Sequence, residues 1–198
     1  MRRKLFIVMA GALVAAACGG NKPEPEPPAP VAIDSTAIKE QMRRDSIAAA
    51  ERARAEAERR AAEEKARLEA ERMRAQLTAE LQELVHFDFD RSDVRMEDEA
   101  ALDRKAAIML ANQAVRLRIA GHADERGSDE YNLALGNRRA ESAKRYLVNK
   151  GVDASRIEIV SYGEERPLDP ASTEEAWAKN RRDAFEILAG GGSLTAPN

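Results

Sequence analysis

The segment GHADERGSDEYNLALGNRRA, residues 121–140, is the part of this 198-residue chain around which the predicted domain is arranged. Apolar and other residues alternate through residues 115–120 just before it, which is the period-two pattern of a half-buried strand. Ser128 then precedes two carboxylates, which is typical of a capped helix start, and Gly151 supplies a helix stop. The stretch therefore predicts a strand, a polar turn and a helix over 129–150.

The predicted helix carries two stripes with different roles. A narrow apolar seam, suited to close packing on a sheet, consists of Leu133, Gly136, Ala140, Ala143 and Leu147. The neighbouring stripe holds Asn132, Leu135 and Arg139. Because the preceding strand delivers Asp124 to the same end of the domain, we expect its carboxylate to face the Arg139 guanidinium across a shallow groove. Such a pair suits a zwitterion that carries an ammonium and a carboxylate on one carbon.

The rest of the C-terminal half alternates strand and helix patterns. We predict strands at 85–90, 157–162 and 182–188, and helices at 97–111 and 173–180. In the first strand, Val85, Phe87 and Phe89 are expected on one buried face. About one hundred residues suffice for a single core. The class is α+β, ordered β-α-β-α-β-β, with helices packed on a mixed sheet. Residues 190–198 are expected to be a flexible tail.

Residues 34–84 have a different composition, rich in Ala, Glu and Arg and free of Gly and Pro. They predict one α-helix of about 75 Å, supported by many opposite charges four positions apart. A solvated spacer is the favoured interpretation. A coiled coil is the alternative, since Leu77, Leu81 and Leu84 form a short apolar stripe near the domain.

The N-terminal region has the features of an export signal and a tether. Residues 1–17 combine a basic start with a short apolar run, as in a signal peptide. Cys18 is the only cysteine and follows three alanines. Residues 18–33 are rich in Pro and Glu, which predicts an extended, solvated linker.

Several motifs together resemble a known family. GHADERG, then YNLALGNRRA, and later VSYGEERP and KNRR, are similar to the OmpA-like peptidoglycan-binding domain, especially that of Tol-Pal lipoproteins. The resemblance covers residues 85–189. In that family the Asp of the GHxD motif and the second Arg of the RRA motif hold the diaminopimelate of a peptidoglycan stem peptide. By position these are Asp124 and Arg139.

Three further residues are candidates for the same pocket. The resemblance places Asp90 near the groove, although capping of a turn is an equal alternative. Asn132 and Leu135 are expected to line the pocket, or Asn132 to satisfy local backbone. We expect Asp124→Ala and Arg139→Ala each to abolish retention on insoluble peptidoglycan and to leave the fold intact.

The resemblance also implies a location and partners. The sequence around Cys18 resembles a lipobox, which implies a lipidated cysteine anchored in the outer membrane, with the domain facing the periplasm. A TolB-like periplasmic protein is an implied partner, and envelope integrity and cell division are the implied roles. An OmpA-like wall anchor outside Tol-Pal is the alternative.

Other classes of function are disfavoured. The net charge of −3 and the absence of a basic patch argue against nucleic acid as a partner. Two H-x-D pairs, at His86 and His122, suggest a metal or acid-base site, but no other ligands accompany them. No nucleophile with its base is recognisable, so we predict no enzyme and no cofactor. A wall-modifying hydrolase using Asp124 with His122 or Glu125 is the competing hypothesis. Arg182 is expected to form a structural ion pair.

Overall fold

The computed structural model describes residues 35–197. The predicted signal peptide, Cys18 and the Pro/Glu-rich linker therefore lie outside the described residues. The elements are α1 Ser35–Gln82, β1 Val85–His86, α2 Met96–Ala111, β2 Arg116–His122, α3 Asp129–Asn149, β3 Ile157–Gly163, α4 Glu174–Asn180 and β4 Arg182–Ala189.

The four strands form one mixed sheet in the order β1-β4-β2-β3. Strand β2 runs parallel to β3 and antiparallel to β4, which in turn pairs antiparallel with β1. Helix α3 connects the two parallel strands, as the crossover between parallel neighbours requires. The predicted α+β class with a long preceding helix is confirmed.

Helix α1 is solvated over most of its length. Almost every residue from Ser35 to Gln76 is exposed, and ion pairs four apart line its surface, such as Arg59 with Glu63 at 3.5 Å. A division into two compact units falls within this helix, between Arg52 and Ala53. None of the helices within residues 35–197 is long and apolar enough to cross a membrane.

The last turns of α1 differ from the expected spacer because they belong to the core. Leu77 and Leu81 are buried in the same cluster as the sheet residues. The fully buried Lys105 of α2 donates from Nζ to the carbonyl of Glu80 at 2.7 Å. That carbonyl is one of the last four of the helix and has no partner inside it. The last turns of α1 therefore pack with the domain, although the helix continues without a break from the solvated part.

The hydrophobic core lies between the sheet and helices α2 and α3. Leu102 and Met109 of α2, with Leu117, Ile119 and Leu147, are all fully buried. The predicted α3 seam is correct except at its first position.

Leu133 is 47% exposed, and Asn132 is buried in its place. The buried face of α3 is rotated by one residue at its N-terminal end, because the Leu133 backbone rather than its side chain meets β3. Its carbonyl accepts a hydrogen bond from the Ser161 hydroxyl at 2.7 Å.

Two glycines allow α3 to approach β2 unusually closely. A Cβ atom on Gly121 would lie 1.9 Å from the carbonyl oxygen of Gly136, and one on Gly136 would lie 2.4 Å from Ser161 Oγ. Neither position can therefore carry a side chain without movement. Asp124 follows Gly121 by three residues, and Arg139 follows Gly136 by three. The close contact between the two glycines therefore holds Asp124 and Arg139 near each other.

Two sequence expectations at the edges of the domain are wrong. Phe89 is 55% exposed, because β1 ends at His86 and the chain turns away from the sheet, with Asp90 at φ 54°. The segment after β4 is packed at Leu194 and Thr195 rather than being a flexible tail from residue 190 onwards. Leu194 is buried in the core, and Asn112 holds Thr195 by backbone and side-chain hydrogen bonds.

Candidate ligand-binding site

A cavity of about 240 Å³ opens where β2 ends and α3 begins. The residues that line it are Phe89, Asp90, Asp124, Arg126, Gly127, Tyr131, Asn132, Leu135 and Arg139. All five residues that the sequence nominates for a pocket are among them. The structure therefore brings the nominated residues together at one place.

Asp124 is almost completely buried and accepts four hydrogen bonds. Its Oδ1 receives the backbone N–H of Arg126 at 3.2 Å and the Nε of the same residue at 3.1 Å. Its Oδ2 receives Arg126 Nη2 at 2.7 Å and Arg181 Nη1 at 3.2 Å. Burial alone would raise the pKa of this carboxyl, but the bonds from the two arginines outweigh it and hold the pKa below its usual value. Asp124 is therefore ionised at neutral pH.

Arg139 has no exposed surface and serves as a hub for three backbone segments. It donates to the carbonyls of Arg91 at 2.8 Å, His122 at 2.7 Å and Asp88 at 3.1 Å. Burial lowers its pKa to about 10, opposed by the nearby Asp183 and Asp124 carboxylates, so it stays charged at neutral pH. These bonds argue against the expectation that Arg139→Ala leaves the fold intact.

The other three nominated residues have distinct parts in the cavity. Asn132 donates its side-chain amide to the carbonyls of Asp124 at 3.1 Å and Arg126 at 3.3 Å, so it holds the turn, as the backbone alternative expects. Asp90 accepts a hydrogen bond from the Tyr131 hydroxyl. Leu135 is 5% exposed and supplies apolar surface.

Sequence reasoning missed the aromatic and cationic side chains around Asp124. The Arg126 guanidinium lies between the rings of Phe89, at 4.0 Å, and Trp177, at 4.2 Å. Its Nη1 also reaches Glu174 at 3.2 Å. Only the position of Arg126, two residues after Asp124 in a turn, could have indicated this contact.

Arg182 does not form the predicted ion pair with any residue in the part of the chain that the structure describes. It is buried and donates to two backbone carbonyls, those of Asn180 and Arg166. Its neighbour Arg181 makes the ion pairs instead, with Asp124 at 3.2 Å and with Glu174 at 2.9 Å.

The H-x-D histidine of the turn is isolated from the cavity. His122 is 4% exposed, and its Nδ1 has no hydrogen-bond partner among the described residues. Glu125 accepts the indole N–H of Trp177 at 3.1 Å. Within residues 35–197, no three His, Cys, Asp or Glu side chains converge as metal ligands. The acid-base set of the hydrolase hypothesis is therefore not assembled.

The burial of His122 gives a pH prediction. Burial, and then Arg182 and Arg166, lower its pKa from 6.5 to about 4. The neutral ring therefore contributes stability that is fully present above about pH 6.5 and is lost as the pH falls towards 4. We expect the free energy of unfolding to fall by about 2 to 3 kcal/mol from this source over that range.

The substitution His122→Phe keeps a ring that does not titrate and should remove this part of the pH dependence. Urea unfolding at pH 4.5 and 7 measures it. The comparison variant is His86→Phe, at the only other histidine, which is partly exposed and whose pKa burial also lowers, so the effects of the two substitutions are measured separately. Equal pH dependence in the wild type and His122→Phe would contradict the prediction.

Comparison with known proteins places this domain in a family. Residues 86–181 match the OmpA family. The peptidoglycan-associated lipoprotein of Rhizobium meliloti strain 1021 is 41% identical over 116 residues, which cover 59% of this chain and 65% of that protein. The protein of the same name from Haemophilus influenzae is 47% identical over 107 residues, or 52% of this chain and 70% of that protein.

A solved structure shows the same domain. The peptidoglycan-associated lipoprotein from Burkholderia pseudomallei is 39% identical and superimposes with a TM-score of 0.52, covering 53% of this chain and 89% of that one. The family match and this superposition define an OmpA-type domain. The chain belongs to the OmpA family, in its group of peptidoglycan-associated lipoproteins.

Membership agrees with the prediction that the chain is not an enzyme, since these relatives are named for an association rather than a reaction. The chain spans 65% of the Rhizobium meliloti protein's length.

Proposed function

We propose that this chain binds peptidoglycan without covalent bonding, by holding the diaminopimelate of a stem peptide in the cavity at the start of α3. The observation that carries the proposal is that Asp124 and Arg139, both ionised and almost completely buried, line one cavity large enough for an amino acid end group. Buried charges of opposite sign at one opening are costly to maintain unless they are paired or bind a charged partner.

The charges and donors of the cavity fit a zwitterion. Two carboxylates, Asp90 and Asp124, and two guanidinium groups, Arg126 and Arg139, sum to zero along its lining. The three backbone bonds of Arg139 use three of its five N–H donors, which leaves two for a ligand carboxylate. Asp124 is the carboxylate suited to the ligand ammonium. Phe89 and Leu135 offer apolar surface to the aliphatic part of the side chain.

The expected affinity for a single stem peptide is modest. Charge-assisted hydrogen bonds contribute about 1.5 to 3 kcal/mol each, and part of this is offset by the loss of ligand freedom. A domain attached to a membrane beside a polymer of repeated sites gains from a high effective concentration. A wall anchor can therefore work with weak individual contacts.

The attachment itself is part of the proposal. Lipidation of Cys18 would fix the chain in the outer membrane with the domain in the periplasm, and residues 18–76 would act as linker and spacer. The lipoprotein relatives support this arrangement. By the same resemblance we propose a place in the Tol-Pal system, with a TolB-like periplasmic protein as partner and a role in envelope integrity during division.

Titration of the purified full-length chain with a synthetic stem peptide that contains diaminopimelate tests the proposal. Asp124→Asn keeps the shape and removes the charge, so we expect the Kd to rise about 30-fold or more, the effect of removing one member of a buried charge pair. Asp129→Asn is the matched control, on an exposed carboxylate of the same segment.

A second control changes the ligand rather than the protein. A stem peptide with lysine in place of diaminopimelate keeps the ammonium and lacks the second carboxylate, so it should bind more weakly than the diaminopimelate peptide. Equal binding of the diaminopimelate peptide to the wild type and Asp124→Asn, with both proteins folded, would contradict the proposed pocket.

A further inference from the structure

Asp124 has no vacant acceptor site in this structure. A carboxylate offers about four lone-pair positions, and four N–H donors already occupy those of Asp124. Two of the four come from the Arg126 side chain, one from the Arg126 backbone and one from Arg181. A ligand ammonium can therefore reach this carboxylate only if one of these donors leaves.

Arg181 and the backbone N–H are fixed in place. The Arg181 side chain is 9% exposed, and it is also bonded to the Phe87 carbonyl at 3.1 Å and to Glu174 at 2.9 Å. The backbone N–H belongs to a turn that the buried Asn132 holds at both ends. Neither donor can withdraw without loss of the surrounding contacts.

The Arg126 side chain is the donor that can move. It is 29% exposed and lies along the wall of the cavity, where it reaches Asp124 from the solvent side. A second carboxylate, Glu174, is 3.2 Å from its Nη1, and the side chain of Glu174 is 59% exposed. The guanidinium therefore keeps an anionic partner when it releases Asp124.

We infer that Arg126 is an internal competitor for the ligand: its guanidinium occupies the position on Asp124 that the ammonium of the stem peptide takes, and binding displaces it towards Glu174. This inference rests on the proposed function, because it assigns the Asp124 carboxylate to the ligand ammonium. It makes Arg126 a specificity-determining residue.

The consequence is selectivity for a cation. An uncharged group that enters the cavity cannot replace the guanidinium on Asp124 without leaving a buried carboxylate short of donors, which is unfavourable. A ligand ammonium donates to Asp124 in place of the Arg126 guanidinium and so replaces the lost hydrogen bonds and the lost positive charge. The Arg126 contact therefore penalises ligands without a cationic group and lowers the affinity of those that have one.

The rings around Arg126 supply an optical readout. Trp177 is the only tryptophan in the sequence, so the intrinsic tryptophan fluorescence of the chain comes from this residue alone. Its ring lies 4.2 Å from the Arg126 guanidinium. Displacement of Arg126 should change the Trp177 emission as the ligand saturates the protein.

The test compares three full-length chains, the wild type, Arg126→Gln and Arg126→Lys, each titrated with the diaminopimelate stem peptide and with the same peptide acetylated on its free side-chain amine. Arg126→Gln removes the competing charge and should bind the free-amine peptide about fivefold more tightly, the scale of one partly exposed ion pair. Arg126→Lys keeps a cation but loses the planar fork that reaches both Asp124 oxygens, so its affinity should fall between those of the wild type and Arg126→Gln. Thermal unfolding of each variant checks that the fold is retained.

The discrimination between the two peptides is a separate measurement. The wild type should reject the acetylated peptide more strongly than Arg126→Gln does. The Trp177 emission of the wild type should change on addition of the free-amine peptide and not on addition of the acetylated one.

The outcomes separate this inference from the proposed function. If the wild type binds the free-amine peptide and folded Arg126→Gln binds it equally or more weakly, the competitor role is overturned. Arg126 would then be neutral or a direct ligand contact. The proposed pocket itself would stand. Failure of the wild type and both variants to bind the free-amine peptide would overturn the proposed function and this inference with it. Binding by Arg126→Gln alone would support the competitor role in its strongest form.

Discussion

Gly121→Ala is expected to leave little folded protein under conditions in which the wild type is stable. The added Cβ would lie 1.9 Å from the Gly136 carbonyl oxygen and 2.6 Å from its carbonyl carbon, so the clash is with backbone and no rotamer relieves it. Either β2 or α3 must shift. We expect a loss of about 4 kcal/mol or more, a large part of the 5 to 15 kcal/mol that stabilises a typical domain.

Urea unfolding, or circular dichroism if the variant is too unstable for a full transition, measures this loss. Gly192→Ala is the matched control, because a Cβ there has no heavy atom within 4 Å. A Gly121→Ala variant that unfolds at the wild-type urea concentration would show that the helix and strand do not approach as closely as described.

Arg139→Ala is expected to destabilise the domain by about 3 to 5 kcal/mol, the usual effect of removing one member of a buried charged network. The truncation leaves the carbonyls of Asp88, Arg91 and His122 without this donor, and it removes the cation that opposes the rise of the Asp183 pKa caused by burial. Asp183 is completely buried, and neither of its carboxyl oxygens has a hydrogen bond within the described part of the chain.

The adjacent residue gives a close control. Arg138 is exposed on the same helix, with its guanidinium 5.5 Å from the Tyr131 ring, and Arg138→Ala should change the stability by no more than about 0.5 kcal/mol. Equal melting temperatures for the two alanine variants would contradict the hub described for Arg139. Loss of peptidoglycan retention in Arg139→Ala alone cannot identify a ligand contact, so Asp124→Asn is the more specific test.

Local patterns in the sequence account for most of the fold. The alternation that ends at residue 120, the Ser128 cap and the Gly151 stop predict β2 and α3 within two residues of their observed ends, and Ser128 does accept the Tyr131 backbone N–H. Gly151 adopts φ 99°, the left-handed conformation that a helix stop favours. These signals are local, so they do not depend on the rest of the chain.

The sequence was less informative where distant segments meet. Arg181 reaches Asp124 from 57 positions along the chain, and no periodic pattern indicates such a contact. Phe89 continues the alternating pattern of a strand in the sequence. It nevertheless lies outside the sheet and lines the cavity, because β1 pairs with β4 at only two residues, Val85 and His86. The periodicity of a sequence predicts which face of a helix or strand is buried. It does not predict which side chains from distant segments meet at the end of that helix or strand.

In the candidate site, too, the sequence identifies residues of the site but not the distant contacts that they make. The residues carried over from the family motifs, Asp124 and Arg139, do lie at one cavity, but each has more protein partners than a simple open pair would have. The sequence indicates which charges are present. The sequence does not indicate that the Arg126 guanidinium covers Asp124 and packs against the Trp177 ring.

The burial of Leu77 and Leu81 at the end of α1 has a mechanical consequence. A pulling force that acts on the domain through this helix must first remove the two leucines from the core and break the hydrogen bond from Lys105 to the Glu80 carbonyl. Only then does the force act on the sheet. A fragment that starts at residue 86, where the family match begins, would lack these leucines and expose the apolar surface they cover. The C-terminal end of α1 is thus the place where a pulling force on this helix is transmitted to the domain.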